Sequence, residues 1–197
     1  MIKHILIFVI GIMSYILWTE IPVTRPPGVL TEHEPIISTF KKTDVLEING
    51  YEGFDITPVA KLSGEVRVIE KERYFFDPMS SFSSLDVLTG WNELSDQRNL
   101  EFIRFSIDKR QWSHKLTNLP LPVNTIREQT ALFHLIPSSP DIKKEILNIR
   151  KGHIIKIEGT LVNVVDKEGL KWETSSNLEG KQATKNQIVW VTSLSLK

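Results

Sequence analysis

Four histidines follow the apolar opening of this chain, at positions 33, 114, 134 and 153, and no two of them stand two or four residues apart. Those are the spacings at which one strand face or one helix turn presents two imidazoles to a metal, so no metal site is assigned. His134 lies in the run Leu132-Phe133-His134-Leu135-Ile136-Pro137, and an imidazole in an apolar run must find a hydrogen-bond partner. With an acid such as Asp86 or Asp96, His134 or His114 could do general acid–base work in a hydrolase. Asp108 is a third acid that could pair, but spacing alone brings no two carboxylates to a defined separation. The nucleophile is missing: neither G-x-S-x-G nor S-x-x-K occurs, and the serines between 80 and 84 suit loop and cap roles. No catalytic residue is named.

A second grouping is aromatic and cationic. Arg110, Trp112 and His114 occupy alternate positions, which places them on one side of an extended segment. Trp and Arg are the residues that most often carry protein and carbohydrate sites. Trp91, Asp96, Arg110, Trp112 and His134 therefore form the candidate binding set. The competing reading makes the tryptophans core anchors of a β-rich domain. The 10 glycines nowhere form a dinucleotide or Walker pattern, and no cofactor is implied.

Charge and cysteine content exclude further classes. Among 197 residues, 24 basic side chains balance 24 acidic ones, and no Lys/Arg run exceeds two, so nucleic acid is not an expected partner. Cysteine is absent, which removes disulfides, thiolate metal sites, cysteine nucleophiles and a lipoprotein anchor together.

Three stretches must position these residues. Residues 1–20 form a membrane segment: Lys3 and His4 precede fourteen uncharged residues from Ile5 to Trp18. At ~1.5 Å per residue that run covers ~21 Å of a ~30 Å hydrocarbon core, short for a span. No small-residue cleavage site follows, and Tyr15 and Trp18 sit where an aromatic belt would be, so an uncleaved signal anchor is expected, with the rest of the chain outside the cytoplasm. Residues 21–35 hold four prolines and predict an extended linker that spaces the domain from the bilayer. Residues 36–197 then form a single β-rich domain.

Within that domain, short strands are expected at 45–48 and 54–57, a long strand over 61–76, and a short helix capped by Ser83 or Ser84 over 85–90. A strand follows at 100–107, and 125–137 is open between helix and strand. Ser139, Pro140 and Asp141 make a strong helix start. Residues 151–172 predict a hairpin turning at Gly169, with a bulge at Gly159, and 188–192 a closing strand.

The pieces Pro26-Pro27-Gly28-Val29-Leu30, SSLDVLTGWNELSD at 83–96, KRQW at 109–112, FHLIP at 133–137, and KGHIIKIEGTLVNV from 151 running to VWVTSL resemble, in their order, an uncharacterised group of bacterial envelope proteins. That group carries one N-terminal apolar segment and a β-rich outer domain. Its pattern has an asparagine two residues before the histidine matched by His134 and a cysteine before the last strand. Leu132 and Gln187 stand near those places here, so roles for those side chains do not carry over.

The expected fold is mostly β or α+β: a small OB-like or SH3-like barrel elaborated by an irregular insertion over 77–150, with one N-terminal membrane helix. The expected function is a membrane-tethered periplasmic module on the bacterial inner membrane, binding a protein or cell-wall partner. The alternatives are the envelope hydrolase just described and a soluble OB-type binder. A site, if present, is expected in 77–137.

Overall fold

The computed structural model describes residues 2–41, 48, 53–117, 121–175 and 186–197. In chain order its elements are α1 (Ile2–Glu20), β1 (Ile36–Ser38), β2 (Phe54–Arg73) and β3 (Leu85–Gly90). A 3-10 turn (Asn92–Ser95), α2 (Gln97–Leu100), β4 (Ile103–Asp108), β5 (Gln111–Leu116) and α3 (Val123–Glu128) come next. Then β6 (Thr130–Pro137), α4 (Pro140–Leu147), β7 (Ile154–Asp166), β8 (Lys171–Trp172) and β9 (Asn186–Leu196) complete the chain. The mostly-β, α+β class holds.

Strands β2, β3, β6, β9 and β7 hydrogen-bond in that order, and β7 returns to β2, so the sheet closes into a five-stranded barrel. Closure pairs what would otherwise be open edges. Only β6 and β9 run parallel in the ring, and α4 makes the crossover between β6 and β7. The long β2 serves both neighbours, pairing with β7 from Phe54 to Arg67 and with β3 from Arg67 to Arg73. Register shifts between Pro58 and Ala60, Val68 and Glu70, and Glu158 and Gly159 bend the strands. A bulge adds local twist, which a small barrel needs. At Gly159 the bend brings the backbones so close that a Cβ would lie 2.4 Å from the Trp190 carbonyl oxygen.

Inward residues of the barrel, such as Val66, Val87, Phe133 and Ile157, form its core together with Trp91, Ile146 from α4 and Ile149 just after that helix. Ser139 caps α4 by accepting from the Ile142 amide, as its sequence predicts. Outside the barrel, the β4–β5 hairpin and α3 pack Ile103, Phe105, Ile107 and Ile126 onto Leu88 and Leu132. The expected insertion over 77–150 is thus corrected: β3 and β6 are barrel strands and α4 the crossover within it, and only the insertion between β3 and β6, residues 91–129, covers the outer face of those two strands.

Of four expectations, three change and one falls largely on residues that are not described. Residues 85–90 form a strand and not a helix: all six are buried between β2 and β6, and a strand flanked and covered on both faces shows no alternation to read. Residues 125–137 contain both alternatives, α3 first and β6 after it. The predicted strand at 45–48 lies outside the described residues except for Ile48. The fourth concerns 21–35, which is no free spacer. It straps the barrel: the Val23 amide donates to the Lys151 carbonyl at 2.8 Å and Arg25 Nε to the Gly152 carbonyl at 2.8 Å. Further along, Gly28 N donates to Asp96 Oδ1 at 3.0 Å and Leu30 N to Ser95 Oγ at 2.9 Å. Gly152 sits at φ +88, and a Cβ there would stand 2.1 Å from the Val23 carbonyl oxygen, so only glycine lets the strap pass.

Helix α1 is apolar around its circumference, with Ile7, Phe8 and Leu17 each more than 60% exposed. Among the described residues no helix is long and apolar enough to cross a membrane. Its last turn meets the domain through Tyr15, which donates to Asn148 Oδ1 at 3.0 Å, Trp18 under the Arg150 guanidinium at 4.5 Å and Glu20 paired with Lys71 at 2.7 Å.

His153 sits where strap and barrel join. Burial, then the charges of Arg150 and Arg25, push its imidazole from 6.5 down to about 4. A base depressed in the folded state binds its proton first in the unfolded one, so its stabilisation is full above pH ~6.5 and fades as pH falls toward ~4. At ~1.4 kcal/mol per unit the ceiling is about 3 kcal/mol. Urea unfolding should therefore show stability declining from about pH 6.5, beginning above the range where carboxylates titrate, and His153→Asn should flatten the decline between about pH 6.5 and 5.

Candidate functional site

The β4–β5 hairpin turns on two residues: Asp108 faces Gln111, leaving Lys109 at φ 47 and Arg110 at φ 61 between them. A two-residue turn with both central residues at positive φ matches the twist of the strands, but it favours Asn-Gly. Two side-chain-bearing L-residues there cost roughly 1–2 kcal/mol each. The geometry nevertheless aims Arg110 back over the barrel, and the guanidinium is well received.

Its Nε and Nη2 donate to Asp77 Oδ1 at 3.0 and 2.7 Å, its Nη1 to Asp86 Oδ1 at 3.0 Å, and its Nη2 also to the Ser83 carbonyl at 2.9 Å. The Arg110 amide donates to the Tyr74 hydroxyl at 3.2 Å. The cation lies 4.1 Å from the Tyr74 ring centre and 5.1 Å from that of Trp172. Hydrogen bonds to charged groups contribute about 1.5–3 kcal/mol each, so a few of them outweigh the strained turn.

Two loops and three strands build this cage. Asp86 on β3 and His134 on β6 are register partners on the outer face of the barrel, both essentially unexposed. Tyr74, Asp77 and Ser83 come from the β2–β3 loop, and Trp172 from β8, whose ring stands 4.6 Å from that of His134. His134 Nδ1 is 2.9 Å from Asp86 Oδ1, an ion-pair distance but not a hydrogen-bond alignment. His134 Nδ1, Asp86 Oδ2 and Ser83 Oγ are buried without a hydrogen-bond partner among the described residues.

The electrostatics follow from this placement. Burial opposes the Asp77 charge, but the hydrogen bonds and charge of Arg110 win and hold its carboxyl below the ordinary value. Burial, and then the Asp86 charge, push the Tyr74 hydroxyl well above the usual tyrosine value, so it remains a neutral donor and acceptor. Two carboxylates thus face one guanidinium. The arrangement can hold a cation firmly; its imidazole and Asp86 are sealed from solvent.

The sequence-predicted residues separate. Arg110 and His134 meet in the cage with Asp86. Trp91 is 2% exposed in the barrel core. Trp112 packs with the hairpin cluster, its ring centre 5.6 Å from that of His114, where burial and then Arg127 lower the His114 imidazole below its ordinary value. Asp96 caps α2, accepting from the Arg98 amide at 2.9 Å and from the strap at Gly28, and pairs with the Arg98 guanidinium, which holds its carboxyl far below the ordinary range. The aromatic and cationic platform is therefore not assembled. Tyr74, Asp77 and Trp172 complete the cage without being singled out by the sequence. Among the described residues no group of three or more His, Asp or Glu is placed to hold a metal.

No protein family model, no characterised protein and no solved structure matches the chain.

Removing one member of a buried charged group strands the rest, at about 3–5 kcal/mol. Asp86→Ala should lower the urea unfolding free energy by that amount. Lys109→Gly, which relaxes the turn at an exposed side chain, should raise it by roughly 1 kcal/mol.

Proposed function

We propose that this protein is a non-enzymatic, membrane-tethered binding module on an OB-type barrel, held outside the cytoplasm and engaging a protein or cell-wall partner. The observation that carries the tether is α1, which falls short of the length and apolarity of a full span but exposes apolar side chains on every side. A surface helix of a water-facing domain is apolar on one face; one apolar all round is suited to protein interior or lipid. Tyr15 and Trp18 near its end favour an interface position, and the basic start of the sequence favours the orientation. The resemblance to bacterial envelope proteins agrees with this reading.

The barrel reading rests on strand order, on the single parallel pair and on the helix between the third and fourth barrel strands. Barrels of that kind commonly bind oligomers across their second and third strands, here β3 and β6. In this chain that face lies under the insertion. A cleft of about 470 Å³ on the opposite side, between β1, β2, β7 and β9, offers Lys61, Ser63, Glu158, Thr160 and Thr192 around Trp190. We take it as the partner surface.

The contact between His134 and Asp86 at 2.9 Å is what favours the hydrolase reading. Against it, His134 is 1% and Asp86 0% exposed, and Asp86 already serves Arg110. His134→Gln should leave any hydrolytic activity of membrane preparations unchanged while lowering stability; loss of a measurable hydrolysis without unfolding would reverse the ranking.

Two measurements test the tethered module. The full chain should stay in the membrane pellet through carbonate washing, and release into the supernatant would refute anchoring by α1. A photo-cross-linking residue replacing exposed Thr192 should capture a partner in the envelope, and the same residue replacing Ser106, on the outer side of the insertion, should not.

A further inference from the structure

The cage holds more acceptors than its occupant uses. Asp77, Asp86 and the Ser83 carbonyl converge on Arg110, yet Asp86 Oδ2 takes nothing from it, with only the Tyr74 hydroxyl turned toward that carboxylate, and Ser83 Oγ, on a side chain with no exposure, has no partner among the described residues. Two aromatic rings bound the same space. Planar, delocalised, donor-rich cations suit such a site, because a guanidinium can satisfy in-plane acceptors while its faces lie against rings. An ammonium is compact and strongly hydrated, and it cannot do both.

We propose that the outer face of β3 and β6 is a guanidinium-binding cage that the chain fills with its own Arg110, so the face on which a barrel of this kind would take a ligand is closed by a ligand in cis. The class of ligand is an alkylguanidinium, and the resident one is delivered by the turn of the β4–β5 hairpin. The two-residue hairpin turn sets positive φ at Lys109 and Arg110 and aims Arg110 into the cage, while Ile103, Phe105 and Ile107 seat the hairpin through its inner face. This proposal is independent of how α1 meets the membrane, and its failure would leave the tether untouched.

The test is chemical rescue. Full-length Arg110→Ala in mild detergent should melt well below the wild type, and low-millimolar ethylguanidinium should restore at least half of the lost thermal midpoint. Ethylammonium, which has the charge without the plane, and ethylurea, which has the plane without the charge, should restore little. Asp86→Asn added to Arg110→Ala should abolish the rescue. Should Arg110→Ala not fold by itself, the yield of folded protein after refolding with each additive is the readout, with recovery by ethylguanidinium alone expected. Rescue by ethylurea to the same extent would show a mere cavity, and absence of rescue by ethylguanidinium would show that the cage does not bind guanidinium; either result overturns the proposal.

Discussion

The Arg110 guanidinium is the point at which separately built parts of the chain are made to agree. The barrel supplies Asp86 and His134, the β2–β3 loop supplies Asp77, Tyr74 and the Ser83 carbonyl, the β7–β8 hairpin supplies Trp172, and the insertion supplies the cation. A carboxylate with no exposure cannot remain charged without compensation. Asp86 therefore fixes where the insertion must lie, and the insertion fixes which face of the barrel is covered. The apolar cluster under the hairpin adds area to this contact, but apolar packing alone tolerates sliding, and the fork of directed hydrogen bonds does not.

A second constraint runs from α1 into the barrel. The strap after α1 lies in main-chain contact with the start of β7 and with the 92–96 turn. Ser95 and Asp96 look like site residues by composition, but they are spent here: Ser95 Oγ accepts from two strap amides, and Asp96 accepts from a third while capping α2. If α1 is held in lipid, this attachment leaves the barrel no free tether and presents it in one orientation. The cleft between β1, β2, β7 and β9 is then held in one orientation relative to α1.

Much of the architecture was legible because it is local. The Ser139-Pro140-Asp141 cap, the turn at Gly169, the bulge at Gly159 and the alternation of β4 are patterns that neighbouring residues decide among themselves. The strand at 85–90 was misread as helix because it is buried on both faces, and a buried strand carries no period to betray it. The strap was misread because four prolines in 21–35 predict extended backbone without saying what that backbone lies against. The site was half legible. His134 advertised its need for a partner by sitting in an apolar run, and its register neighbour Asp86, one strand away, stands at ion-pair distance without hydrogen-bond alignment. Asp77, Tyr74 and Trp172 are common residues in loops, and only closure of the barrel brings them to Arg110.

The central claim is that Asp86 and Arg110 act as one unit that fastens the insertion to the barrel. A double-mutant cycle on unfolding free energy, with Asp86→Asn, Arg110→Gln and the pair, measures that directly. Groups that act together should show a coupling of roughly 2 kcal/mol or more, whereas single effects that add to within ~0.5 kcal/mol would contradict it.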